Sequence, residues 1–375
     1  MSTSTLRREH AFKNIEVKIE QFTIAYFHIL DFEFTYSIDS LLPHGYMTIA
    51  DAISMSTQSF NDGTKTLSLN ATDANGKNWS TKFNILKAEE IRVDNKDGVL
   101  KLYIEEKTTT LLKKYFTGNG YKFTTLNNLA TEHLTKIKDS KSLDISANTP
   151  LTNFTIPINK PFIQVLDYFR KKYGYFIYLN KKKYIIKKHN DILSSGTKTY
   201  DNGEGYGLRT GNPFYYNAIK DISMKAIDKS KIDALLPKTK TYKIDLRKKE
   251  IDYFEYDFDK AYGEIGTPAG GALDSKMKAD GGVKELVRDN FTEDTIKGFY
   301  FNTLKDFNSV EIVVPSNIDL NVGEIVKMEI DPQGGHWNKK LPQKFWKGNF
   351  LVHTLTEKII NNHPLQRLVL IKAKS

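Results

Sequence analysis

Gly323-Glu-Ile-Val-Lys-Met-Glu-Ile330, Asn349-Phe-Leu-Val-His-Thr354 and Arg367-Leu-Val-Leu-Ile-Lys372 close the chain as three apolar-rich stretches, set apart by a polar loop and a turn. The same order stands near the start, as Gly63-Thr-Lys-Thr-Leu-Ser-Leu69, Lys82-Phe-Asn-Ile-Leu86 and Leu100-Lys-Leu-Tyr-Ile104. Phe83 to Leu100 and Phe350 to Leu368 are almost equally spaced. Period-two alternation of β-branched and aromatic residues marks each stretch as a half-buried strand. Strand, loop, strand, turn, strand at both ends predicts two related β-domains with other material between them.

Working outward, Ile15-Glu-Val-Lys-Ile19 and Phe32-Glu-Phe-Thr-Tyr-Ser-Ile38 alternate in the same way. Turns are signalled at Pro43-His-Gly45, Asn61-Asp-Gly63, Asp73-Ala-Asn-Gly76 and Asp94-Asn-Lys-Asp-Gly98. Residues 1–115 therefore read as a first β-barrel. The pattern then changes. Leu126, Leu129, Ala130, Leu134 and Ile137 share one helical stripe, with Thr124 or Thr125 as its N-cap. A second helix starts at Pro161, carries Phe162, Val165, Leu166, Phe169 and Tyr173 on its apolar face, and stops at Gly174. Tyr175–Leu179 and Tyr184–Ile186 flank a polar turn and read as a hairpin, making 116–193 a small α/β unit. Residues 194–226 form a glycine-rich linker and the start of the second barrel. Residues 227–300 are an irregular α+β insertion, with strands at Thr241–Leu246 and Ile251–Phe258, a loop at Gly263–Gly282 and a short helix near Val283–Asn290. Residues 301–375 complete the second barrel. The fold class expected is mainly β with α+β insertions: two related tube-like barrels flanking an α/β domain.

A chain of 375 residues, 39% hydrophobic and 27% charged, is too apolar for disorder and too polar for a membrane protein. Its longest apolar run, Tyr175–Leu179, is far short of the roughly 20 residues a membrane helix needs, so no stable membrane insertion is expected. The N-terminal stretch has charges but no apolar segment of a secretory signal. Without cysteine there is no disulfide framework, zinc ribbon or thiol nucleophile. The net charge of +10 is concentrated: residues 116–200 hold 14 Lys and Arg against 5 Asp and Glu, whereas residues 1–115 hold 14 against 15. The protein is a near-neutral body with one basic domain.

Chemistry-bearing motifs are scarce. The eight histidines include no HExxH and no pair at ligand spacing. Asp331, His336 and His353 are the one set a hairpin could bring together, and ordinary loop and strand positions account for them. There is no GxSxG or Walker loop, and Gly203–Gly211 has glycines at the wrong spacing for phosphate. Glu89-Glu90 and Glu105-Glu106 are adjacent acids that point to opposite faces of an extended chain, and both pairs read as surface. Glu255, Asp257 and Asp259 alternate with Phe254, Tyr256 and Phe258, which puts three carboxylates on one face of a strand. That stripe fits a solvated face, an acidic lining that repels a polyanion, or a calcium site. Lys171, Lys172, Lys181, Lys182, Lys183, Lys187 and Lys188, interleaved with aromatics, form a basic docking face for an acidic protein or for nucleic acid.

The element order carries a resemblance. A β-domain is followed by an α/β unit built around Ile156-Pro-Ile-Asn-Lys-Pro-Phe-Ile-Gln-Val-Leu-Asp-Tyr-Phe169 and Tyr173-Gly-Tyr-Phe-Ile-Tyr178. Asn321-Val-Gly-Glu-Ile-Val326 and Gly348-Asn-Phe-Leu-Val-His353 then lead to Leu368-Val-Leu-Ile371. This resembles the central baseplate hub protein of contractile-tailed phages and the related type VI secretion spike and tailocin proteins. The likeness covers nearly the whole chain, residues 227–300 least. It implies a non-enzymatic homotrimer that needs no cofactor. Its two barrels per chain make six similar units around one axis, between a tail tube protein and a separate spike protein, beside other baseplate proteins. DNA contact is transient, during genome passage. Assembly occurs in the host cytoplasm and the product sits in the virion tail. The alternative from the residues alone is a carbohydrate- or nucleic-acid-binding adhesin or adaptor, and behind it a hydrolase for which no residue pair can be nominated.

Overall fold

The computed structural model describes residues 14–51, 60, 64–72, 76–93, 97–139, 141–188, 191–192, 221–224, 238–245, 249–257, 283–287, 309–329, 347–360 and 363–372. The first third is a run of strands: Asn14–Ile19 (β1), Phe22–Ile24 (β2), Ile29–Ser37 (β3), His44–Asp51 (β4), Thr66–Thr72 (β5), Asn78–Val93 (β6) and Asp97–Glu106 (β7). Alternation explains them. In β3 Phe32, Phe34 and Tyr36 are buried while Asp31, Glu33 and Thr35 between them are half-exposed.

The middle of the chain holds all the α-helices among the described residues. It runs Lys107–Lys114 (α1), Gly120–Thr125 (β8), Leu126–Ile137 (α2), Ser142–Ile145 (β9), Pro150–Thr155 (β10), Phe162–Tyr173 (α3), Phe176–Leu179 (β11) and Lys183–Lys187 (β12). The predicted stripe of α2 is buried throughout, and its cap is Thr125, whose hydroxyl accepts the Asn128 N–H at 3.2 Å. Pro161 is the residue before α3 rather than its first turn, and Gly174 ends that helix at φ 66°. A second hydrophobic core joins α1, α2 and α3 through Leu112, Leu126, Leu134, Phe162 and Phe169.

The remaining strands are Asp221–Met224 (β13), Lys238–Asp245 (β14), Glu250–Asp257 (β15), Val283–Val287 (β16), Ser309–Pro315 (β17), Ile325–Glu329 (β18), Lys347–Ile360 (β19) and His363–Lys372 (β20). The helix expected near Val283–Asn290 is a correction: Val283–Val287 is a strand, parallel to β14, where sheet pairing overrides a weak helical pattern. The glycine-rich segments 203–211 and 263–282 lie outside the described residues.

Twelve strands form one sheet in the order β13-β17-β20-β19-β3-β4-β7-β6-β5-β1-β2, with β18 also on β19. Its two parts follow one plan. β3-β4-β7-β6-β5 and β13-β17-β20-β19-β18 are antiparallel throughout and have the same order along the chain. The registers agree as well. Phe83 lies opposite Leu67 and Phe350 opposite Val326; two residues on, Ile85 meets Ile104 and Val352 meets Leu370. Each long strand then bulges, between Ile85 and Lys87 and between Val352 and Thr354. The kinship of the two ends is thus one of topology and register. Their fusion was not legible beforehand: β3 pairs with β19, Asp31–Ser37 against Thr354–Ile360, which joins the halves edge to edge over one core.

The α/β unit stands on the buried face of this sheet. Phe176, Tyr178 and Ile185 enter the sheet's core, and Gly323 leaves its Cα so close to Tyr178 that an added Cβ would lie 2.0 Å from the phenol oxygen. The opposite face is mainly polar, with Ile360, opposite Asp31, an exposed apolar exception.

Candidate functional site

Two arrangements of charge stand out. The first is a ladder on the polar face of the sheet. Strand register lays Lys358, Glu33, Tyr46, Tyr103 and Lys87 in one row across β19, β3, β4, β7 and β6, and Asp31, Thr48, Lys101 and Glu89 in the next. Lys358 Nζ pairs with Glu33 at 2.9 Å, and Arg367 reaches Glu33 at 3.5 Å and Glu311 at 3.7 Å. Tyr46 donates to Asp31 at 2.9 Å while Lys101 Nζ sits 4.2 Å from the centre of its ring. Tyr103 donates to Glu89 at 2.9 Å, and Lys87 forms an ion pair with the same carboxylate. Burial, then the Asp31 and Glu33 carboxylates, raises the Tyr46 phenol above its ordinary range. The hydrogen bonds from Lys87 and Tyr103 hold Glu89 below the usual glutamate value. Each exposed pair contributes little to stability alone; their continuity across strands of both halves is what distinguishes this face.

The second arrangement is buried between the α/β unit and the sheet. Lys181 forms an ion pair with Glu357 of β19, both inaccessible to solvent at 2% and 0% side-chain exposure. Gln366 donates to Glu357 at 2.9 Å and to the Asn317 carbonyl at 2.7 Å, and the Trp79 ring lies 5.3 Å from the Lys181 ammonium. Lys141 donates to Glu106 at 3.0 Å and to the Lys181 carbonyl at 2.6 Å. Glu106 also accepts from Tyr36 at 2.7 Å, Thr81 at 3.3 Å and Thr108 at 3.2 Å. Burial outweighs the nearby ammonium and raises the Glu357 carboxyl. Two lysines of the basic unit thus seat on one acid from each part of the sheet.

These contacts revise the surface reading of Glu105-Glu106. Both are buried, Glu105 paired with Lys113 and taking the Thr110 hydroxyl at 2.5 Å. Glu105 is held by the helix that follows it, whereas Glu106 also draws Tyr36, Thr81 and Lys141 from elements distant in sequence, which no local pattern announces. Glu89 and Glu90 are half-exposed and exposed.

The seven lysines are not all at the surface. Lys181 is in the interior. Lys171 pairs with Asp167 at 2.7 Å and Lys172 donates to the Tyr168 hydroxyl oxygen at 2.8 Å, both in the last turn of α3 where cations suit the helix dipole. Lys183 and Lys187 share Asp144 at 3.8 and 3.2 Å. Lys182 is exposed and Lys188 half-exposed. The sequence missed Lys141, whose neighbours are polar; nothing local marks it as interior. Phe169 and Tyr173 lie in the second core rather than in a stacking groove.

Glu255 and Asp257 lie on β15, in register with Lys240 and Lys238 of β14, and Asp259 is outside the described residues. His353 bonds Asp39 at 3.0 Å and Thr354 at 2.9 Å, whereas Asp331 and His336 fall outside the described residues. Among the described residues no three His, Asp or Glu side chains gather as for a metal ion, and no helix is long and apolar enough to cross a membrane.

No protein-family model matches the sequence, and no curated protein does. Solved structures do. The tail protein from Neisseria meningitidis MC58 aligns over 96% of this chain and 96% of its own, with a TM-score of 0.60 and 12% identity. The chain has a tail-protein fold. The 43 kDa tail protein of prophage MuSo2 from Shewanella oneidensis aligns over 96% of this chain and 98% of its own, again at 0.60, with 11% identity. At that identity the fold is what the chains share, over almost their full lengths.

Proposed function

We propose that this chain is the structural hub of a phage tail baseplate. Three copies close into a ring of six similar units, which joins a sixfold tail tube to a threefold spike and lets the genome through. The carrying observation is the doubled sheet plan: one chain holds the same five-strand arrangement twice, so three chains present six equivalent units on a common axis. Residues 1–115 make one tube-like unit, and 194–226 with 301–375 the other; 116–193 and 227–300 are accessory. Closure into a ring also covers strand edges that a lone open sheet leaves exposed. The role is structural rather than enzymatic. The partners are further copies of itself, the tube protein, a separate spike and other baseplate proteins, in the virion tail after assembly in the host cytoplasm.

Sedimentation equilibrium tests this directly. The expected species is three times the 43.0 kDa chain, seen in negative-stain images as a threefold ring of near-sixfold outline with a central hole. A chain that stays monomeric at high concentration sinks the proposal.

A further inference from the structure

The polar ladder has a place in such a ring. The α/β unit, with the basic excess of residues 116–200, is packed on the buried face of the sheet, so in a closed ring it needs the room outside. The polar face then turns toward the axis. Lys87, Lys101, Lys358 and Arg367 on that face are interleaved with Asp31, Glu33, Glu89 and Glu311, and the salt-bridge and ring contacts given above join them across β17, β20, β19, β3, β4, β7 and β6. Cations offered to a duplex bind its phosphates by releasing condensed counterions, and each such contact adds to the affinity for DNA. A wall for passage needs the reverse.

We infer that the polar face of the sheet lines the passage, and that its carboxylates engage its lysines and arginine so as to withhold them from a DNA duplex sliding past. This rests on the proposed ring, and adds which face turns inward and why it does not hold its cargo. The acids are the working groups: Glu33 occupies Lys358 and Arg367, Glu89 occupies Lys87, and Glu311 occupies Arg367.

The test compares the native chain with a Glu33→Gln, Glu89→Gln, Glu311→Gln variant, binding a plasmid either linearised or relaxed and covalently closed, across a salt series. A second variant, Asp144→Asn with Asp167→Asn, frees lysines of the α/β unit instead. The wall variant is expected to gain affinity for linear DNA with a steeper salt slope, by roughly one for each freed cation that reaches a phosphate, and each chain of the ring frees Lys87, Lys358 and Arg367. It gains little for the closed circle, which cannot thread a ring. The outer variant gains equally for both. No gain by the wall variant on linear DNA overturns the charge-withholding role. Equal gain on circle and line, with a sedimenting trimer, overturns the inward placement while leaving the ring standing. A monomer in the same sedimentation run overturns the ring itself and the placement with it.

Discussion

Replacing Lys181 by Met removes the only cation paired with Glu357 among the described residues and leaves that acid in the interior with Gln366 as its hydrogen-bond donor. Both side chains are sealed from water, so the regime is that of a buried pair, where loss of one partner costs about 3–5 kcal/mol. Glu357→Gln keeps an acceptor for Gln366 but strands the ammonium, and its cost falls in the same range. The double variant leaves no charge and an amide that still meets Gln366; it is expected within about 1–2 kcal/mol of the native chain. Urea unfolding followed by tryptophan fluorescence suits the case, because Trp79 lies against Lys181. The Lys181→Met penalty also depends on pH. Burial already raises the folded Glu357 pKa, and removing the ammonium raises it further, so the folded variant takes up a proton that the unfolded chain binds only near pH 4.3. A folded state that binds more protons gains stability as pH falls, so the penalty measured at pH 8 shrinks toward pH 5. Single variants that each cost under about 1 kcal/mol, a double variant as unstable as the sum of the two, or a penalty indifferent to pH would refute the account.

Phe83→Ala and Phe350→Ala remove equivalent fully buried rings of the two sheet halves, and each is expected to cost about 3–5 kcal/mol in a urea titration; widely unequal costs speak against equivalence of the two positions. Gly323→Ala combines a φ of 87° with a Cβ pressed on the Tyr178 oxygen, so a loss of about 2–3 kcal/mol is expected. The loss should ease by thermal melting when Tyr178→Phe removes that oxygen. His133, fully buried between Tyr115 and Tyr121 hydroxyls at 3.1 and 2.8 Å, has its pKa lowered by burial. The unfolded chain then binds the proton more readily below about pH 6.5, so this contribution to stability is lost as pH falls through that value toward the lowered folded pKa. Urea midpoints of His133→Gln should fall less steeply from pH 7 to 5 than those of the native chain, and parallel curves count against the argument.

The sequence by itself determined the local elements and their kinship. Period-two alternation in Phe32–Ile38 and Leu100–Ile104, the stripe from Leu126 to Ile137, and the Pro161 and Gly174 stops of α3 each depend on neighbours a few residues away, and such patterns are written directly in the chain. The repeated strand order at the two ends was legible for the same reason. The tertiary structure alone decided how those elements share an interior. The β3–β19 seam joins residues more than three hundred positions apart, and no periodicity encodes which edge meets which. Glu105, Glu106, Glu357, Lys141 and Lys181 look like solvent-facing charges one by one. They are interior because each finds a partner from another element there, and only that pairing offsets the desolvation that would otherwise have kept them in water.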